Sequence, residues 1–210
     1  MNIAVTGGIG SGKSTASKIL AVAMCAEHID VDQLCRQQLQ PGKQALTELA
    51  KVFGSDYLLA DGSLNRQLLR RVVFADSAVR KQLEMILHPL VRKEVADYYL
   101  WCRAAGKSLV VEVPLLFEVG WQEDFTVSVL VFVPETVCYS RVAARDGLTG
   151  AEIQQVFAAQ MPFADKVKVA DFVIDNSDTF VATVQQLAWL GKTLEHRENE
   201  WKSVKVRQKA

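Results

Sequence analysis

Residues 7–15 read Gly-Gly-Ile-Gly-Ser-Gly-Lys-Ser-Thr and lie directly behind the apolar stretch Ile3-Ala4-Val5. Glycine at 7, four residues, then Gly12-Lys13-Ser14 is the spacing of a phosphate-binding loop, which requires a strand before it and a helix after it. Glycines at 7, 8, 10 and 12 tolerate positive φ and put no Cβ in the way, so consecutive N–H groups can turn toward one anion. A helix predicted from Ser14 to Ala26 adds the positive end of its dipole at the same point. On this reading Gly8, Gly10, Ser11, Gly12, Lys13, Ser14 and Thr15 cradle the phosphates of ATP. Lys13 reaches the outer phosphates, and the Ser14 hydroxyl is a ligand for Mg²⁺. The plainer alternative, a Gly-rich turn with a surface lysine, does not account for the strand and helix on either side.

A phosphate held this way needs an acceptor and further charge. Asp30 and Asp32 are two residues apart, so on an extended segment they face the same way, at the carboxyl end of a second strand at 29–31. A carboxylate there can receive the proton of an attacking hydroxyl; the alternative is that one aspartate caps the next helix and the other stays solvated. Asp32 is the candidate base and, with Lys13, the candidate catalytic pair. Arg141 and Arg145 lie four apart, share a helix face, and are candidates for clamping the ATP phosphates, against the alternative of a solvated face. Arg36, Arg66, Arg70, Arg71, Arg80 and Arg92 decorate the region between, mostly as surface charge. His88-Pro89 has the form of a helix start, with His88 as its cap.

Elements that would position these groups follow from periodicity. Asn2 to Thr6 reads as the first strand, and 108–117, 125–133 and 172–174 are apolar throughout, as strands covered on both faces are. Helical patterns occupy 83–105, 134–145 and 178–197. Strand and helix alternate, giving an α/β chain with a five-stranded parallel sheet flanked by helices, the P-loop NTPase fold. Residues 33–87 contain helical pieces punctuated by Pro41-Gly42, Gly54 and Asp61-Gly62, and no strand-like run. Residues 141–169 contain the capping box Thr149-Gly150-Ala151-Glu152 and a helix opened by Pro162. The expected organisation is a single domain over 1–210. It comprises a core (about 1–32, 88–140 and 170–197), a helical acceptor lobe (about 33–87) and a lid (about 141–169) of the kind that excludes water from a transferring phosphoryl group. Residues 202–209 are basic without acidic partners and are expected to form a solvated tail.

Composition narrows the class. Lys plus Arg and Asp plus Glu are 24 each in 210 residues, so no global field argues for nucleic acid or an anionic membrane, and half the residues are apolar, enough for a core. Cys25, Cys35, Cys102 and Cys138 are widely spaced, which suggests neither zinc nor a disulfide framework. No leader-like segment and no apolar run of about 20 residues is present, so a cytoplasmic location is expected.

The ordered motifs resemble the dephospho-CoA kinase family over residues 3–176. They are the loop at 6–15, Asp30-Val-Asp32 with Arg36 four residues on, Pro41-Gly42, Leu64-Asn65-Arg66 and Leu87-His88-Pro89-Leu90. After these come Val113-Pro-Leu-Leu-Phe-Glu118, the lid arginines, Gln160, Ala170-Asp171 and Ile174-Asp175-Asn176. The resemblance implies transfer of the ATP γ-phosphoryl group to the ribose 3′-hydroxyl of dephospho-CoA, the last step of coenzyme A synthesis. ATP and dephospho-CoA are then the partners, with Mg²⁺ as cofactor. It also implies Asp32 as base, and Arg36, Arg66 and His88 in the acceptor pocket. Two departures stand out. The family often has Asp where this chain has Glu112, and it has a more acidic run after Gln160. Two rivals share parts of the pattern. A nucleoside monophosphate kinase shares the core and lid but has little use for Asp32. A nucleotide-dependent switch lacks support, since the chain has no guanine-reading Asn/Thr-Lys-x-Asp motif, no Asp-x-x-Gly, and no strand ending in a clear Walker-B aspartate.

Overall fold

The computed structural model describes residues 1–147 and 149–207, the side chains of Phe74 and of 199–207 excepted. Five strands form one parallel sheet in the order β2-β3-β1-β4-β5: β1 (Asn2–Thr6), β2 (Glu27–Asp30), β3 (Leu109–Glu112), β4 (Val127–Phe132) and β5 (Phe172–Asp175). The apolar runs of β1, β3 and β4 are buried almost throughout, as strands covered on both faces must be, while the edge strands β2 and β5 are partly exposed. Alternation then divides the side chains. Ile3, Val5, Val110, Val129, Val131 and Ile174 meet α1 (Lys13–Ala23) and α9 (Phe180–Arg207) through Leu20, Leu187, Leu190 and Leu194. Leu130 turns to the opposite face, where with Val133 it packs on Cys138 of α6 (Glu135–Asp146) and Phe163 of α8 (Phe163–Val169). Helices on both faces make the sheet doubly wound.

The chain divides into two compact units, residues 1–30 with 101–210, and residues 31–100. The second contains α2 (Val31–Gln38), α3 (Gln44–Phe53), α4 (Arg66–Ala75) and most of α5 (Ser77–Ala104). Its core is Leu46, Leu49, Leu64 and Leu69, with Phe53, Tyr57 and Leu83 against them. The Asn65 side chain caps α4 by accepting the Leu68 N–H at 3.1 Å. One isolated antiparallel bridge, Leu58 to Leu64, is the extended pairing in this unit among the described residues.

Three sequence expectations need correcting. The second strand ends at Asp30, and Val31 already begins α2, so Asp32 sits in the first turn of a helix. There a carboxylate is favoured by the helix dipole. Asp30 and Asp32 are therefore not successive same-face residues of one strand. The break expected at 87/88 lies inside α5, a continuous helix of 28 residues with Pro89 in its interior. His88 is thus no cap: the missing Pro89 N–H costs one backbone bond, and the helix on either side is long enough to absorb it. Finally, the backbone of α9 runs on to Arg207, where a tail was expected from 202, while 208–210 and the side chains of that stretch lie outside the described residues.

No helix among the described residues is long and apolar enough to cross a membrane. Leu49 is completely buried at the centre of the small leucine core. Leu49→Ala is expected to lower unfolding stability by about 2–5 kcal/mol in urea titration monitored by circular dichroism, the usual cost of a buried Leu truncation.

Candidate active site

The phosphate loop connects β1 to α1. Its glycines are required for two different reasons. Gly10 and Gly12 have φ of +78° and +86°, a conformation that side chains resist. Gly8 has ordinary φ, but a Cβ on it would stand 2.8 Å from the Phe163 ring. A Cβ on Gly12 would also collide with Asn176 Nδ2. The loop is held from outside as well as from within. Asn176 Nδ2 donates to Ser11 O at 2.7 Å, and the Ile9 N–H donates to Gln160 Oε1 at 3.3 Å. Within the loop, the Ser11 N–H donates to Gly8 O at 3.2 Å. The first N–H groups of α1, at Lys13 and Ser14, have no intrahelical acceptor by helix geometry.

Strand β3 delivers the most telling group. Glu112, its last residue, is 3 % exposed and points to the α1 face. Its Oε1 accepts the Ser14 hydroxyl at 2.5 Å, and its Oε2 accepts the Ser17 hydroxyl at 3.4 Å. His28 Nε2 lies 3.0 Å from Ser17 Oγ. Burial, first, lowers the His28 pKa, partly offset by Glu112. Asp30 stands opposite Glu112 in the β2–β3 register, so two carboxylates meet at one sheet edge. A buried carboxylate requires compensation. Among the described residues the polar partners of Glu112 are hydroxyls, and no Lys or Arg pairs with it. Together with Ser14 Oγ it offers hard oxygen donors, a set that fits Mg²⁺. No group of three or more His, Cys, Asp or Glu side chains gathers into a metal site among the described residues.

A cavity of about 250 Å³ is lined by Gly10, Gly12, Lys13, Ser14, Thr15, Arg141 and Arg145. Both arginines come from α6, as their spacing indicated. Arg141 Nη2 donates to Asn176 O at 3.1 Å, while Arg145 makes a two-bonded pair with Asp146 at 2.8 and 2.7 Å, which raises its pKa further. A second cavity of similar size extends from Gly12 and Thr15 past Arg141 and Asn176 to Asp178 and Phe180. The capping box that starts α7 (Gly150–Ala158) is present, Thr149 and Glu152 bonding reciprocally.

The remaining sequence candidates belong to the 31–100 unit. Asp32 and Arg36 are exposed and one turn apart on α2, Arg66 is exposed at the first position of α4, and His88 is half-buried in mid-α5. Burial pushes the His88 pKa down, with Glu84 opposing and Arg92 adding to the effect. Sequence reasoning gave no role to Asn176, Gln160, Phe163 or Ser17, and left the second metal ligand unassigned. The apolar run Leu109-Val110-Val111 ends in an acidic residue, a glutamate where the resemblance leads one to expect an aspartate.

A parallel sheet wound on both faces, with this loop between β1 and α1, defines a P-loop kinase. Among solved structures, the Thermus thermophilus protein TT1252 aligns with a TM-score of 0.77 and 32% identity, over 93% of this chain and 97% of that one. The dephospho-CoA kinase of Campylobacter jejuni aligns with a TM-score of 0.71 over 94% and 98%, at 24% identity, a likeness of fold. The family described as "CoaE: Dephospho-CoA kinase" matches residues 1–181. The dephospho-CoA kinase of Desulfotalea psychrophila is 38% identical over 89% of this chain and 94% of its own. The chain therefore belongs to the dephospho-CoA kinase family, whose activity is the final step of coenzyme A synthesis. That membership agrees with the resemblance read from the motifs, and the nucleoside monophosphate kinase and switch readings are not favoured.

Gly12→Ala combines a strained φ with the clash at Asn176. It is expected to weaken ATP binding by about tenfold or more in titration calorimetry, from a strain of about 1–3 kcal/mol. Unchanged affinity would mean that the loop is not the phosphate site.

Proposed function

We propose that this chain transfers the γ-phosphoryl group of ATP to the ribose 3′-hydroxyl of dephospho-CoA, giving coenzyme A and ADP, with its residues in the following roles. The cavity lined by Gly10 to Thr15, Arg141 and Arg145 receives the triphosphate, with Gly8 and Ser11 shaping the loop that closes it. Lys13 neutralises the outer phosphates, and the two arginines spread charge over them as it shifts toward the leaving group. Ser14 and Glu112 hold Mg²⁺, which when bound draws charge from the phosphate oxygens. The observation that carries the reading is the buried Glu112 carboxylate bonded to the Ser14 hydroxyl at the mouth of a loop of this pattern.

Asp32 receives the proton of the 3′-hydroxyl as its oxygen attacks the γ-phosphorus. Support comes from the chain itself: Asp32 is two residues beyond the last residue of β2, so its Cα lies within about 7 Å of that of Asp30 at the sheet edge. The transition state of phosphoryl transfer is loose, so holding the hydroxyl in line contributes as much as basicity does. Arg36, Arg66 and His88 bind the acceptor, and the 31–100 unit is the acceptor lobe. Residues 141–169 act as the lid, α7 and α8 being its two helices. A cytoplasmic setting, with ATP and dephospho-CoA as the partners, completes the reading.

With Mg²⁺-ATP the purified protein is expected to phosphorylate dephospho-CoA far faster than AMP, CMP or pantothenate. Equal turnover of a nucleoside monophosphate would contradict the assignment. Asp32→Asn is expected to lower kcat by about 10²-fold with ATP affinity within about twofold, the signature of a lost base. An undiminished kcat would remove Asp32 from the chemistry.

A further inference from the structure

Lys166 of α8 is 1 % exposed, and its ammonium meets Glu118 Oε1 at 2.8 Å. Among the described residues Nζ has no hydrogen-bond acceptor of good geometry, and Glu118 Oε2 has no hydrogen-bond partner. Removing two ions from water costs several kcal/mol per ion, and a pair that leaves hydrogen-bonding capacity unused recovers little of it. Stability alone does not explain the arrangement. Position does. The same Glu118 Oε1 also accepts the Met161 N–H at 2.9 Å. One carboxylate oxygen therefore gathers residues 161 and 166, tying the segment that joins α7 to α8 to the body of α8.

That segment is where the phosphate loop leans. Gln160 Oε1 accepts the Ile9 N–H, and the Phe163 ring lies so close to Gly8 that no side chain fits between. Phe163 is itself fixed edge-on against Phe132 of β4, with centroids 5.5 Å apart and planes at 83°. The second half of the loop is fastened separately, by Asn176 at Ser11. A loop tethered in both halves keeps its N–H groups aimed before the nucleotide arrives, and misplacement of bound phosphate by about 1 Å costs on the order of 10²-fold in rate.

We propose that Gln160, Glu118 and Lys166 are positioning residues for phosphoryl transfer: the buried Glu118–Lys166 pair fixes the segment 160–163, and Gln160 sets the first half of the phosphate loop through Ile9. None of the three is assigned contact with the reacting atoms. The inference rests on the reading of the loop as the ATP site.

Two variants separate positioning from folding. Gln160→Met keeps side-chain length and removes the acceptor. The double variant Glu118→Gln/Lys166→Met removes both charges, retains an amide oxygen for the Met161 N–H and keeps the volume. Steady-state constants for both substrates are measured alongside thermal unfolding. Both variants are expected to raise KM for ATP about threefold or more and to lower kcat about tenfold, with KM for dephospho-CoA within twofold. The Tm of the double variant should equal or exceed that of wild type. Constants within twofold of wild type in both variants overturn the proposal. So does a fall in kcat that tracks lost folded protein with both KM values unchanged, which is what a purely structural role produces. Failure of the wild-type protein to bind ATP in calorimetry overturns the reading of the loop instead.

Discussion

A buried carboxylate at the end of a central strand, bonded to a hydroxyl at the start of a helix, is the constraint around which this protein is organised. Glu112 closes β3, and Ser14 lies in the first turn of α1. For the two to meet, β3 must lie beside β1, and the loop after β1 must turn back over the sheet edge. The strand order supplies the first condition and glycine the second. On the proposed reading the charge is tolerable because phosphate and cation share the site. Loop N–H groups, the α1 dipole and Lys13 supply positive potential for anions, and Glu112 with Asp30 opposite supplies negative potential for a metal.

The loop is less a free cradle than one braced by side chains far along the sequence. Asn176 follows β5 and is itself held by Arg141 of α6, and Gln160 joins α7 to α8. The core beneath is made of strands that alternate between two apolar layers, and any shift of β4 or β5 would be transmitted to these braces. Stability of the fold and geometry of the site are in this sense one property: the packing of Ile3, Val5, Val129 and Val131 on α1 and α9 sets where the loop begins and where it ends.

Much of this was legible beforehand. Four of the five strands followed from apolar runs, the loop from its glycine spacing, and the start of α7 from Thr149 and Glu152, all signals contained within a few neighbouring residues. What escaped notice depends on contacts across the chain. The bond from Ser14 to Glu112 spans 98 residues, and that from Asn176 to Ser11 spans 165. No local pattern announces them. Asp32 was misread as strand because a helix can start directly after a strand with no turn residue to mark the change. His88-Pro89 was misread as a helix start because proline is ambiguous: it opens helices, yet a long helix held by its other bonds can carry one inside.

The 31–100 unit has its own leucine core, so the groups it carries, Asp32, Arg36, Arg66 and His88, belong to a body distinct from the one that carries the loop. The proposed metal-holding pair, Ser14 and Glu112, lies at the loop and can be tested there. The most direct measurement is calorimetric titration of a non-hydrolysable ATP analogue into wild-type protein and Ser14→Ala, each with and without Mg²⁺. If Ser14 and Glu112 hold the metal against the phosphates, Mg²⁺ tightens binding to the wild type by about tenfold or more, about 1.4 kcal/mol, and Ser14→Ala loses most of that gain. An equal gain in both proteins would contradict the account.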